Sequence, residues 1–152
     1  MLELSDSILI KASAEKVFNI LIKIFSDEKN YKSWHRDHIR SFWKKGRAFE
    51  KGAVFTAEEY LHGKPHKLKF VLSDIKRNEL IEFKFDFPFS IICPKGSFLI
   101  TTKGDASEFK SRLFFRSGNL LKKITKMRLK ALEKHMREES LNLKEIAEKN
   151  LI

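Results

Sequence analysis

One cysteine, Cys93, stands in the chain, so no intramolecular disulfide can form. A fold without cross-links suits a reducing compartment, and a cytoplasmic location is the expectation. No apolar run approaches the roughly 20 residues of a membrane-spanning helix. The start, MLELSDSILIKAS, has neither the basic region nor the apolar core of a signal peptide. Internal repeats and low-complexity segments are missing as well. Gly and Pro are absent after Gly118, which leaves the C-terminal stretch free of helix breakers.

What is present points to one domain, spanning residues 1–152, with a real core. The chain is 42% hydrophobic and holds 14 Phe, too apolar for a disordered protein. Its net charge of +11, from 31 Lys and Arg against 20 Asp and Glu, favours anionic partners in general. The basic residues are spread along every segment, however. Their densest cluster, Lys122 to Lys134, falls mainly on the polar side of a helical pattern, as a solvated face would. No nucleic-acid partner is expected.

The stretch Asn119 to Ile152 reads as one long helix. Leu121, Ile124, Arg128, Leu132, His135, Glu139, Leu143 and Ile146 recur at steps of three and four and share a face. Upstream, Leu4–Lys11 reads as a strand, and Ser13 can cap a helix that starts at Ala14 and buries Val17, Ile20, Leu21 and Ile24. Asp27–Ser33 is a loop or a second short helix. Strands are expected at Ile39–Trp43, Ala53–Leu61, His66–Ile75, Leu80–Phe89, Ser97–Thr102 and Glu108–Arg116. In the fourth of these, Ile81, Phe83, Phe85 and Phe87 share one face, where they would hold an apolar ligand. The order predicts an α+β fold: a curved antiparallel sheet covered on its inner face by the long helix, with one or two short helices after the first strand. A cavity between sheet and helix is a place for a small hydrophobic or aromatic molecule.

Polar residues on the apolar faces carry the chemistry. His135 and Glu139 lie one helical turn apart, so both side chains reach one point. Such pairs are common on helices that bind nothing, so partners decide the matter. Alternation over Ala53–Leu61 puts Phe55, Ala57, Glu59 and Leu61 on one face, and a carboxylate facing a core needs a partner or a cation. His35 and His38 stand in the turn after Trp34. One of these two with Glu59, His135 and Glu139 makes two imidazoles and two carboxylates, a set that suits zinc, with manganese or iron as alternatives. Tyr60, His62 and His66 are candidate proton donors, and Arg128 a candidate ligand contact.

Ile10-Lys11-Ala12-Ser13-Ala14-Glu15-Lys16-Val17-Phe18, the meander and the long last helix resemble the START-like (SRPBCC) helix-grip superfamily of polyketide cyclases, lipid-transfer domains and pollen allergens. Within it, Trp34-His35-Arg36-Asp37-His38, Glu58-Glu59-Tyr60-Leu61-His62-Gly63 and His135-Met136-Arg137-Glu138-Glu139-Ser140-Leu141-Asn142-Leu143 resemble the diacetylphloroglucinol hydrolase and phloretin hydrolase group. That resemblance implies a zinc ion on His38, Glu59, His135 and Glu139, and cleavage of the carbon–carbon bond between an acyl group and a phenolic ring. Arg36 and Ser140 depart from the Pro and Gly of that group. Two functions follow as expectations: a zinc-dependent hydrolase-like protein acting on an acyl or aromatic compound, or a non-catalytic carrier of a hydrophobic molecule or lipid.

Overall fold

A computed structural model describes residues 1–116 and 126–152. The first strand, β1 (Leu2–Ile10), leads into α1 (Ala14–Ser26). Ser13 caps α1 as expected, its hydroxyl accepting from the Lys16 N–H at 3.1 Å. Val17, Phe18, Ile20, Leu21, Ile24 and Phe25 form the buried face of α1. The segment left open between loop and helix is a helix, α2 (Glu28–Trp34). Asp27 starts it by accepting from the Lys29 N–H at 2.7 Å, satisfying one of the donors a helix start leaves unpaired.

Six strands follow: β2 (His38–Lys45), β3 (Val54–Leu61), β4 (Lys64–Lys76), β5 (Leu80–Phe85), β6 (Lys95–Lys103) and β7 (Ala106–Phe115). They form one antiparallel sheet in the order β1-β7-β6-β5-β4-β3-β2, so the meander runs unbroken and β1 adds to its far end. The final helix, α3 (Lys126–Lys149), packs against β1 and β7 and also against β3. Those strands lie toward opposite ends of the sheet, so the sheet must curl around the helix. Register shifts in the β2–β3 and β4–β5 ladders supply local bends. Between sheet and helices lies a core rich in aromatics, with Phe25, Trp34, Phe55, Phe83, Phe98 and Phe109 in it. No helix among the described residues is long and apolar enough to cross a membrane.

Two expectations change. The fourth strand was expected to reach Phe89, but β5 ends at Phe85. Pro88 has no N–H for a ladder, and the chain turns there into a single 3-10 turn at Phe89–Ile91. Phe87 therefore falls outside the strand and is 73% exposed, so it cannot share the inner face with Ile81, Phe83 and Phe85. The expected helix start at Asn119 and the stripe positions Leu121 and Ile124 lie outside the described residues.

Candidate metal centre and ligand cavity

Glu59 stands on the inner face of β3, directly opposite His38 on β2 and His66 on β4. The alternation that buries Phe55 and Ala57 buries Glu59 as well. From the other side, α3 presents His135 and Glu139 on its buried face. Trp34 fixes the helix against α2: its indole N–H donates to the Glu139 carbonyl at 3.0 Å, and the Asn142 amide donates to the Trp34 carbonyl at 2.8 Å. His38 follows four residues after Trp34, so the same anchor sets His38 beside the helical pair.

The four side chains meet. His38 Nε2 lies 3.2 Å from Glu139 Oε2 and 3.6 Å from Glu59 Oε2. His135 Nε2 lies 3.3 Å from Glu59 Oε1 and 3.4 Å from Glu139 Oε1. Each carboxylate thus sets one oxygen beside each imidazole. Both Nε2 atoms are buried, yet neither makes an aligned hydrogen bond. Tetrahedral zinc with bonds of about 2.0–2.1 Å has donor atoms about 3.3–3.4 Å apart. The four measured separations bracket that value. The side chains converge on a shared point rather than on one another, and the donor set fits a divalent cation.

The imidazole of His38 is prepared for this. Its Nδ1–H donates to the Tyr31 carbonyl at 2.8 Å, so in the neutral ring Nε2 carries the lone pair that faces the cluster. The Tyr31 ring stacks on His38 at 4.1 Å between centroids, and the Tyr31 hydroxyl donates to Glu59 Oε2 in a short hydrogen bond. Tyr31 is therefore a site residue that sequence reading missed. A tyrosine in a short helix carries no local mark of such a role.

His35 can bring a ring nitrogen within 4.8 Å of the nitrogens of His38 and His135. Its own nitrogens are occupied, though. Nδ1 accepts from the Asp37 N–H at 2.9 Å, and Nε2–H donates to Glu138 Oε2 at 3.1 Å. That leaves no lone pair for a cation and selects His38 over His35.

Electrostatics binds the cluster together. Burial pushes the Glu59 carboxyl up, but His38, His135 and the Tyr31 hydroxyl outweigh it and hold its pKa at about 2. Burial works against a charge on His135, yet Glu139 and Glu59 raise its pKa to about 9. His38 is raised in the same way, burial opposing and Glu59 and Glu139 prevailing. Burial and then Glu59 push the Tyr31 hydroxyl well above its ordinary range, so it stays a donor. Burial and His135 lower His35. Without a cation, the cluster compensates its two carboxylates by charging its imidazoles.

Glu59, His135 and Glu139 line one end of a cavity of about 90 Å³, whose other walls include Phe70, Phe83, Phe85, Phe98 and Leu132. The expected ligand contacts Phe83 and Phe85 are there. Phe87, by contrast, lines no part of it. His62, His66 and Arg128 line a second chamber farther out. Tyr60 is 46% exposed on the opposite face of β3 from Glu59 and lines neither chamber, so the structure does not bring it to the site as a proton donor. Its parity against Glu59 already places it outside.

No family model and no curated protein matches the chain. Solved structures do, along nearly its whole length. Ara h 8.0201 superposes with a TM-score of 0.74 at 12% identity, covering 98% of this chain and 99% of that one. The major latex-like protein 151 of Panax ginseng gives 0.73 at 11% identity, with 95% of each chain covered. The Zhui aromatase/cyclase of Streptomyces sp. R1128 gives 0.69 at 12% identity, covering 99% of this chain and 96% of that one. At such identities the likeness establishes the fold, and the fold is the helix-grip fold.

Proposed function

We infer that the chain binds a small hydrophobic or aromatic molecule in the cavity between sheet and α3, above a divalent metal centre, zinc first among the candidates. His38, Glu59, His135 and Glu139 would hold the ion. The observation that carries this reading is the convergence of two buried imidazole nitrogens without hydrogen bonds and two carboxylates at 3.2–3.6 Å, at one end of an aromatic cavity. A cluster built only for stability would align its hydrogen bonds, because a buried polar atom left unpaired costs about 1–3 kcal/mol. The likeness to an aromatase/cyclase supports a cavity for aromatic compounds. The single buried cysteine is in keeping with a cytoplasmic setting.

The test is elemental analysis of protein purified without chelator, beside His135→Ala and Glu139→Ala. One metal per chain in the wild type, absent from both variants, is the expected result. A well-folded wild type that takes up no zinc when zinc is supplied would reduce the cluster to an ion-pair network.

A second reading is hydrolysis of an acyl-phenol, favoured by the position of the cluster at the cavity wall and by the motif resemblance. A bound divalent ion supplies Lewis acidity toward a carbonyl or water. Around it, Phe83, Phe85 and Phe98 would hold the ring of the substrate, and Tyr31 would keep Glu59 in place. A panel of acyl-phenols offered to the zinc-loaded protein separates this from plain binding: turnover that His135→Ala abolishes makes it a hydrolase, and binding without turnover makes it a carrier.

A further inference from the structure

The cavity does not end at its inner chamber. Leu61, Leu68, Phe89 and Leu132 line that chamber and also an outer one of about 320 Å³, so the two are joined through an apolar neck. The outer walls are largely apolar too, with Pro88, Ile92, Phe115 and Leu129 among them. Their polar side chains are of one kind. His62, His66, Lys67 and Arg128 line the chamber, and no Asp or Glu does among the described residues.

The hairpin between β3 and β4 builds this group. His62 and Gly63 both adopt positive φ, 44° and 78°, the two-residue turn that matches the twist of paired strands. The turn brings the rings of His62 and His66 to 4.8 Å, edge to face. Nε2 of His66 is buried and has no hydrogen-bond partner. Burial, then the positive charge of His62, Arg128 and Lys64, lowers the pKa of His66, which shows that these cationic groups act on one another across the chamber. A neutral apolar ligand would leave the His66 nitrogen unpaired and the field unanswered.

We propose that the outer chamber takes the anionic group of an amphiphilic ligand, a carboxylate or its equivalent, against His66 and Arg128, with the ligand's apolar body passing Leu61, Leu68 and Leu132 toward His135. The proposal rests on the reading that the cavity binds a hydrophobic small molecule, and it assigns that molecule a charge and a direction. The chamber's low-dielectric walls strengthen a charge-assisted contact relative to open water. The chain's net charge of +11 draws anions toward it from solution. His62 and His66 then serve ligand recognition rather than proton transfer.

Two fluorescent probes of nearly the same shape test this: anilinonaphthalene sulfonate, which carries an anion, and phenylnaphthylamine, which does not. The wild type should bind the sulfonate about tenfold more tightly, the value of one good charge-assisted contact. The double variant Arg128→Gln/His66→Gln should bring the two within about twofold, with phenylnaphthylamine affinity and the melting temperature unchanged. Equal binding of both probes by the wild type overturns the proposal and leaves the cavity reading standing. A sulfonate preference that survives in the double variant also overturns it, and its loss in His135→Ala would then place the anion at the inner cluster. Binding of neither probe overturns the cavity reading and the proposal with it.

Discussion

Tyr31 shows how one side chain can serve two ligands at once. Its carbonyl accepts from His38 Nδ1, and its hydroxyl donates to Glu59. Tyr31→Phe keeps the ring that stacks on His38 and removes only the hydroxyl. Zinc affinity should fall by about tenfold, the low end for loss of a group that orients a metal ligand, with little change in the far-ultraviolet spectrum. A competitive chelator titration measures it, and an unchanged affinity would mean that Glu59 is held by packing alone. The titration of the cluster makes a second prediction. Glu59 is held at about 2 against an ordinary 4.5, so its contribution to stability is complete above pH 4.5 and fades as pH falls toward 2. His135 is raised from 6.5 to about 9, so its contribution is complete below pH 6.5 and fades as pH rises through 9. Chelator-treated protein should therefore lose stability on both flanks, and Glu59→Gln should flatten the acid flank. Added zinc needs an unprotonated imidazole, so its stabilising effect should grow from pH 6.5 toward 9; a pH-independent effect in thermal melts would remove His135 from the ligand set. Three of the four converging residues were legible in sequence, Glu59 by strand parity and His135 with Glu139 by helical spacing. The choice of His38 was not, because it depends on where β2 begins and on which imidazole keeps a free nitrogen.

The elements fall where periodicity placed them when one face was buried and the other wet. Helix α1 begins at Ala14 behind its Ser13 cap because the apolar step of three and four and the capping hydroxyl agree. Strand β5 was overextended because alternation continued into Phe87 although the partner ladder and the chain direction had already changed. On α3 the stripe holds through Leu143 and Ile146 but drifts off the core at Arg128, which is exposed. That helix carries two of the cluster residues, so its seat on the sheet decides the site. Leu143 is fully buried and Leu141 is 45% exposed, two positions apart on the same helix. Leu143→Ala should destabilise the fold by about 2–5 kcal/mol, and Leu141→Ala by less than about 0.5 kcal/mol. Urea unfolding of both variants checks the contrast. Equal effects would mean that α3 does not dock through the face that presents His135 and Glu139.

In the whole molecule, binding and folding are one equilibrium, and Cys93 can report it. The thiol is fully buried, and burial raises its pKa to about 12. Thiolate is the reactive form, so Cys93 should stay silent toward a disulfide reagent while the fold is closed. It sits just ahead of β6, in a strand that pairs with both β5 and β7 in the middle of the meander, so its exposure requires the sheet to open. The cluster, in turn, ties β2 and β3 to α3. An ion held there resists separation of helix from sheet. When reclosing outpaces labelling, the rate follows the population of the open form. Zinc at one hundred times its dissociation constant stabilises the native state by about 2.7 kcal/mol and should slow labelling of Cys93 by about 100-fold. His135→Ala should label at a rate that zinc does not change. If Cys93 in the wild type reacts as fast with zinc as without it, although zinc is bound, then the sheet opens around β6 without disturbing the cluster. The two ends of the meander would then be separate cooperative units, joined by the helix but not by the ion.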